Sequence, residues 1–167
     1  MGKKKTKDKS DKTNVMRILD KAKIPYEAFY YEHRDDIPFD GAAVARSMGE
    51  DPATVFKTLV TRGKSGGYFV FVIPVEEELD LKAAARAVGE KSVEMLAVKD
   101  LLAVTGYLRG GCSPIGMKKP FVTVVDESAR KQEGIHISAG RRGTQVLLAP
   151  DDLAALIRAT FAEVTMA

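Results

Sequence analysis

The sequence predicts an α+β domain built on a mixed or mainly antiparallel sheet. Three observations point there. Segments that alternate like strands interleave with short stretches of helical periodicity. Several strands are joined by tight turns, the clearest being Gly63-Lys64-Ser65-Gly66-Gly67, which is too short for a crossover helix and so marks a hairpin. Tyr68-Phe69-Val70-Phe71-Val72-Ile73 is almost continuously apolar, as a central strand covered on both faces must be.

The elements follow in order. Val15, Ile18, Leu19 and Ala22 recur at i, i+3, i+4 and i+7, so an amphipathic helix starts near Thr13 and stops at Pro25. Tyr26 to Glu32 alternates as a strand, and His33 to Phe39 is polar and turn-rich. Asp40 caps a short helix carrying Ala42, Ala43, Val44 and Met48, which Gly49 ends. Asp51-Pro52 is an N-cap followed by a proline at the first helical position. The hairpin pairs Phe56–Arg62 with Tyr68–Val75. Asp80 caps a helix with Leu81, Ala84, Ala85 and Val88 on one face and Gly89 beyond it. Val98 to Val104 is a further short helix ending at Gly106. Tyr107 to Lys119 has no period and is rich in glycine. Strands follow at 121–126, 134–138 and 144–148. Pro150-Asp151-Asp152 then opens a last helix through Ala159, and Phe161 to Val164 reads as a short edge strand.

Composition narrows the function. The 167 residues fit one domain with a real core, and 45% apolar with 29% charged residues is ordinary for a soluble protein. No run of eighteen apolar residues is present, which predicts no membrane span. No apolar segment follows the first lysines, which argues against a signal peptide. Cys112 is the sole cysteine, so no internal disulfide can form and a reducing cytoplasm is the expected setting. With only His33 and His136 beside it, a dedicated zinc site is not expected, and no metal or cofactor is. Residues 1–12 hold six lysines and two aspartates, a net of +4, which leaves the rest near −1. Residues 1–12 read as a disordered lysine-rich tail and 13–167 as the domain. The tail is either a solubilising segment or a non-specific phosphate contact.

Familiar catalytic patterns are missing. Neither histidine neighbours a Gly-x-Ser-x-Gly, there is no phosphate-binding Gly-x-x-x-x-Gly-Lys-Ser/Thr loop, and no pair of carboxylates stands out. Two segments remain. In Phe56-Lys57-Thr58-Leu59-Val60 a lysine interrupts an apolar strand. A partly desolvated ammonium there would be a strong donor to an oxyanion or phosphate; the alternative is a lysine snorkelling from the exposed face. In Gly110-Gly111-Cys112-Ser113-Pro114 the glycines let backbone approach a ligand closely, or merely supply turns. Ser138-Ala139-Gly140-Arg141-Arg142-Gly143 is a smaller feature of the same sort, either a phosphate contact or a basic hairpin turn. Cys112 could be a nucleophile only if its thiolate were stabilised, and no histidine neighbours it in sequence.

Taken together, an ordered series of segments resembles the YbaK/EbsC family of freestanding editing domains, related to the insertion domain of bacterial prolyl-tRNA synthetase. The series is Phe56-Lys57-Thr58-Leu59, Leu79-Asp80-Leu81-Lys82, Lys91-Ser92-Val93-Glu94-Met95, Thr105-Gly106-Tyr107, Gly110-Gly111 with Ser113-Pro114 and Gly116-Met117-Lys118-Lys119, Ile137 to Gly143, and Ala149-Pro150-Asp151-Asp152-Leu153. Tyr30-Tyr31-Glu32-His33 resembles that family's early strand.

The resemblance implies a strongly curved mixed sheet or barrel with short helices around it, and deacylation of mischarged transfer RNA. The favoured substrate is Cys-tRNA(Pro), and in that branch the substrate's own thiol attacks the ester and leaves as a thiolactone. Alanine or another small amino acid on tRNA(Pro) is the alternative substrate, and a non-catalytic tRNA- or synthetase-binding module the alternative class. The partners implied are the acceptor end of mischarged tRNA and prolyl-tRNA synthetase. By the resemblance, Lys57 is the catalytic residue that anchors substrate or stabilises charge. Tyr31, Thr58, Gly110, Gly111, Ser113, Pro114, Ser138 and Gly140 form the substrate pocket. Many relatives carry isoleucine or valine where this chain has Cys112, which bears on amino-acid specificity.

Overall fold

The computed structural model describes residues 12–34 and 36–166. The lysine-rich tail lies outside them except for Lys12, whose ammonium pairs with Asp20 at 2.5 Å. The elements are α1 (Asn14–Ala22), β1 (Glu27–Tyr30), α2 (Gly41–Ser47), β2 (Phe56–Gly63), β3 (Tyr68–Pro74), α3 (Leu81–Val88), β4 (Val93–Met95), α4 (Val98–Thr105), β5 (Val122–Asp126), β6 (Ile135–Ser138), β7 (Thr144–Leu148), α5 (Pro150–Ile157) and β8 (Thr160–Ala162). Short 3-10 turns occupy Pro52–Thr54 and Glu127–Lys131. No helix among the described residues is long and apolar enough to cross a membrane.

The strands form two sheets, as an α+β domain with tight turns allows. A five-stranded sheet has the order β4-β2-β3-β5-β8, antiparallel across β4-β2-β3 and parallel across β3-β5-β8. A three-stranded antiparallel sheet has the order β1-β7-β6. One bridge, Val55 to His136, ties them together. They do not close into a barrel. β2 and β6 pack near each other beyond that bridge but form no ladder, so the edge of β2 after Val55 stays open to other partners.

β3 is central, as its apolar run predicts. Val72 faces the main core with Phe56, Val125, Ile135, Ile137, Val146 and α1 residues Val15, Met16 and Leu19. Phe71 and Ile73 face the other way onto Ala84 and Ala85 of α3. Full burial of each such side chain contributes about 1.5–3 kcal/mol.

Local chemistry sets the helix ends. Asp40, Asp51 and Asp80 cap as expected, each accepting from backbone N–H groups of the first turn. Pro25 is not what ends α1. Lys23 turns left-handed at φ 61, and Ile24 N–H donates to Leu19 O, which satisfies the last carbonyls first. Arg158 ends α5 in the same way, before Ala159. Leu81 is 40% exposed, so α3 buries Ala84 and Ala85 rather than its whole apolar stripe. β4 has no sequence signal of its own: in Val93-Glu94-Met95 only Val93 is buried, and the pairing with Thr61–Gly63 makes it a strand.

Candidate active site

The open stretch of β2 creates a cleft. β4 pairs with β2 only at Thr61–Gly63, with Leu96 N–H reaching Val60 O. The edge from Phe56 to Leu59 is therefore left to other partners. A cavity of about 610 Å³ occupies this edge. Val55 through Leu59 all line it. Successive strand residues point to opposite faces, so the cavity wraps the strand's edge instead of resting on one face.

The opposite wall is the outer face of the small sheet. Alternation along β6 sends Ile135 and Ile137 into the core and puts His136 and Ser138 on the other face. Register adds Gln145 of β7, which pairs with Ser138 on one side and Phe29 on the other. Tyr31 continues that face, its N–H donating to Gly143 O at 2.9 Å. The start of α2, with Phe39 and Asp40 ahead of it, and the Arg109–Cys112 loop form the rim.

Lys57 is half-buried and makes no hydrogen bond or ion pair among the described residues. Burial holds its ammonium below the ordinary lysine value, while Glu78, Glu77 and Asp40 oppose that shift from a distance. Beside it, Thr58 Oγ1 is buried and has no hydrogen-bond partner. Lys57 thus brings an uncommitted cation to the strand edge, a site for a polar ligand bearing partial negative charge, with the enclosed Thr58 hydroxyl packed behind it.

Of the residues singled out from sequence, Tyr31, Lys57, Thr58, Gly110 and Ser138 line this cavity. Gly111 and Gly140 line a neighbouring groove of about 980 Å³ with Tyr107, Leu108 and Arg141. Ser113 and Pro114 are buried behind the loop and line neither space. Ser113 Oγ accepts from Ile115 N–H, and Ser138 Oγ accepts from Gly140 N–H. The glycines serve loop packing. At Gly110 (φ +87) a Cβ would stand 2.6 Å from Arg142 Nε and 2.8 Å from the Phe39 ring. The Gly111 N–H is already donated to Leu108 O. Arg142 clamps this corner, donating to the carbonyls of Arg109 and Arg34 and lying over the Phe39 ring.

Cys112 lines the cavity but is buried, and burial pushes its thiol up to about 12. It packs with Val60 and Val70 as an apolar residue would. Burial likewise raises the Tyr31 phenol, against the hydrogen bond at Gly143.

Three residues went unrecognised in the sequence: Glu50, His136 and Gln145. His136 lines the cavity, with its Nδ1 3.4 Å from Glu50 Oε2 and both side chains 9% exposed. Burial lowers the His136 pKa, against Glu27 and Gln145, and raises that of Glu50, against Gln145. Only strand register could have found them, because 50, 136 and 145 share no sequence pattern. Among the described residues no three His, Cys, Asp or Glu side chains converge as a metal site requires.

Comparison with known proteins bears on this geometry. The model of the aminoacyl-tRNA editing domain family matches residues 40–156, which spans the cavity walls except Tyr31, Pro38 and Phe39. A protein of Enterococcus faecalis, EbsC, named as a candidate Cys-tRNA(Pro)/Cys-tRNA(Cys) deacylase, is 48% identical over 165 residues, covering 99% of this chain and 98% of its own. Two crystal structures share the fold at low identity. A hypothetical protein superposes with a TM-score of 0.80 at 22% identity, covering 90% of this chain and 98% of its own. A candidate trans-editing enzyme for prolyl tRNA synthetase superposes at 0.74 and 22% identity, covering 93% and 99%.

Proposed function

The chain belongs to the aminoacyl-tRNA editing domain family, and from that premise we propose that it is a freestanding deacylase that clears mischarged tRNA, with Cys-tRNA(Pro) as its substrate. One observation carries the reading: Lys57, half-buried and unpaired, sits beside the Thr58 hydroxyl in a cavity of about 610 Å³. That volume suits an aminoacyl group and part of its ribose.

Ester cleavage needs negative charge stabilised on the carbonyl oxygen. A desolvated ammonium supplies this far better than one in water. Lys57 is therefore the charge-stabilising residue, and Thr58, Tyr31 and Ser138 shape the walls around the aminoacyl group. The attacking group comes from the substrate. Cys112 is a protonated, buried thiol at neutral pH, and the Ser138 oxygen accepts from Gly140 N–H. A cysteinyl side chain carries its own nucleophile, which attacks the ester carbonyl and leaves as the thiolactone. Reaction chemistry then discriminates where a small pocket alone would do so poorly.

The groove of about 980 Å³ next door suits the acceptor end. It offers Leu102 and Leu108 as exposed apolar surface, the Tyr107 ring, and the guanidinium of Arg109. Stacking surface beside cationic groups is what unpaired nucleotides require. Prolyl-tRNA synthetase is the partner this substrate implies, and the cytoplasm the setting.

The deciding experiment follows release of labelled cysteine from Cys-tRNA(Pro), with Ala-tRNA(Pro) in parallel, by wild type and Lys57→Ala. Cysteine release that depends on Lys57, with alanine retained, is expected. Release of alanine at the same rate would reassign the substrate. Binding without release of either would make the protein a docking module.

A further inference from the structure

The cavity wall carries a buried acid–imidazole pair that the reading above leaves unused. Glu50 reaches it because the chain turns back after α2. Gly49 takes φ 71, and Glu50 N–H donates to Ala45 O at 2.9 Å. This carries the carboxyl inward against His136, whose backbone is fixed beside β2 by the Val55 bridge. Neither Glu50 oxygen completes a hydrogen bond, although Oε2 lies 3.4 Å from His136 Nδ1, and both are fully buried. An acid kept out of water in this way is costly.

We propose that His136 is the base that takes the proton of a cysteinyl thiol bound in this cavity, and that Glu50 positions its ring. The proposal rests on the deacylase reading above. His136 Nδ1 is fully buried and lies 3.4 Å from Glu50 Oε2, so it cannot meet a ligand. Nε2 is then the nitrogen left for the cavity that His136 lines. With Nδ1 carrying the hydrogen toward Glu50, Nε2 is an acceptor. Phe29 packs edge-on against the ring, centroids 5.2 Å apart, which limits its rotation. The charged groups facing the imidazole are Glu50, just past α2, and Glu27 on β1; Gln145 of β7 contacts it as a neutral amide. Glu27 and Gln145 favour the imidazolium that forms on proton transfer, while burial keeps the resting ring neutral.

The step balances. The thiol proton passes to Nε2, and the sulfur bonds to the ester carbonyl carbon. Lys57 stabilises the oxyanion, and the carbonyl carbon–ribose oxygen bond then breaks. The ribose oxygen takes the proton back from the imidazolium. Cysteine thiolactone and free tRNA leave, and His136 returns to its starting state.

The test measures Cys-tRNA(Pro) deacylation by wild type, His136→Gln and Glu50→Gln across pH 6 to 9. His136→Gln is expected to lose about 100-fold in kcat at neutral pH with KM little changed. Its deficit narrows as pH rises, because the substrate thiol then ionises unaided. Glu50→Gln should show the same pattern more weakly. A purely structural role would leave a pH-independent loss. That outcome, or an unchanged rate, overturns the proposal and leaves the deacylase reading intact; a wild type inactive on Cys-tRNA(Pro) overturns both. Should either variant fail to fold, nitrogen-15 chemical shifts of the two histidines in wild type decide. The Nδ1–H tautomer is expected at His136, and the Nε2–H tautomer would overturn the proposal.

Discussion

Gly111 lies flat against the backbone of Arg141: a Cβ at position 111 would stand 2.8 Å from Arg141 Cα and 3.1 Å from its carbonyl carbon. Backbone cannot move aside as a flexible side chain can. Gly111→Ala must therefore push the 109–112 loop off the 139–143 turn. The expected cost is about 1–3 kcal/mol in urea unfolding. Because Gly110 and Cys112 line the cavity, deacylation should fall as well.

Lys57→Ala should lower kcat on Cys-tRNA(Pro) by about 10²–10³-fold, the usual loss of an oxyanion donor. Wild-type activity should also fall on the alkaline side earlier than an ordinary lysine would allow, since burial lowers this ammonium's pKa. The sign for stability is opposite. The unfolded chain holds the proton more tightly than the folded one, so folding gains as pH rises from the lowered value toward 10.5. Lys57→Met should accordingly raise Tm at neutral pH while lowering kcat as Lys57→Ala does. A Tm below wild type would mean that Lys57 contributes to the fold.

Thr58→Val exchanges a buried, unpartnered hydroxyl for a methyl of nearly the same size. Removing an unsatisfied buried group should leave stability unchanged or raise it by up to about 1–3 kcal/mol. Activity should change little, because the enclosed oxygen offers the substrate no surface; a large loss in kcat or KM would show that the hydroxyl does reach it.

Cys112→Val should leave deacylation within about threefold of wild type, because the thiol, pushed up to about 12, is no nucleophile near neutrality. In the native wild type the thiol should react with a disulfide reagent orders of magnitude more slowly than after denaturation. Rapid native labelling would contradict its burial.

Asp126 joins two parts of the chain far from the cavity. Its Oδ1 accepts from Val164 N–H at 3.0 Å and its Oδ2 from Ser128 N–H at 3.1 Å. Asp126→Ala leaves the buried Val164 N–H without a partner, at an expected cost of about 1–3 kcal/mol. Deacylation at saturating substrate should be unaffected below the lowered Tm.

The sequence by itself determined what local patterns can encode. Asp40, Asp51 and Asp80 announce their helices because a carboxylate two or three residues ahead of free backbone N–H groups caps them whatever surrounds it. The apolar run through β3 announces a strand buried on both faces, and Lys57 stands out because a charge inside such a hairpin needs a reason. Tertiary structure decided what depends on pairing across distance. Val93-Glu94-Met95 is a strand only because β2 offers it an edge. Ser113 and Pro114, adjacent to the cavity in sequence, turn away from it because Ser113 is consumed in a local turn. Above all, Glu50, His136 and Gln145 meet only once the Val55 bridge and the β6–β7 register are set. A histidine in Ile-His-Ile-Ser has no visible partner in sequence. Its chemistry follows from which face of the strand it occupies and which acid is delivered there, and the chain settles both only by folding.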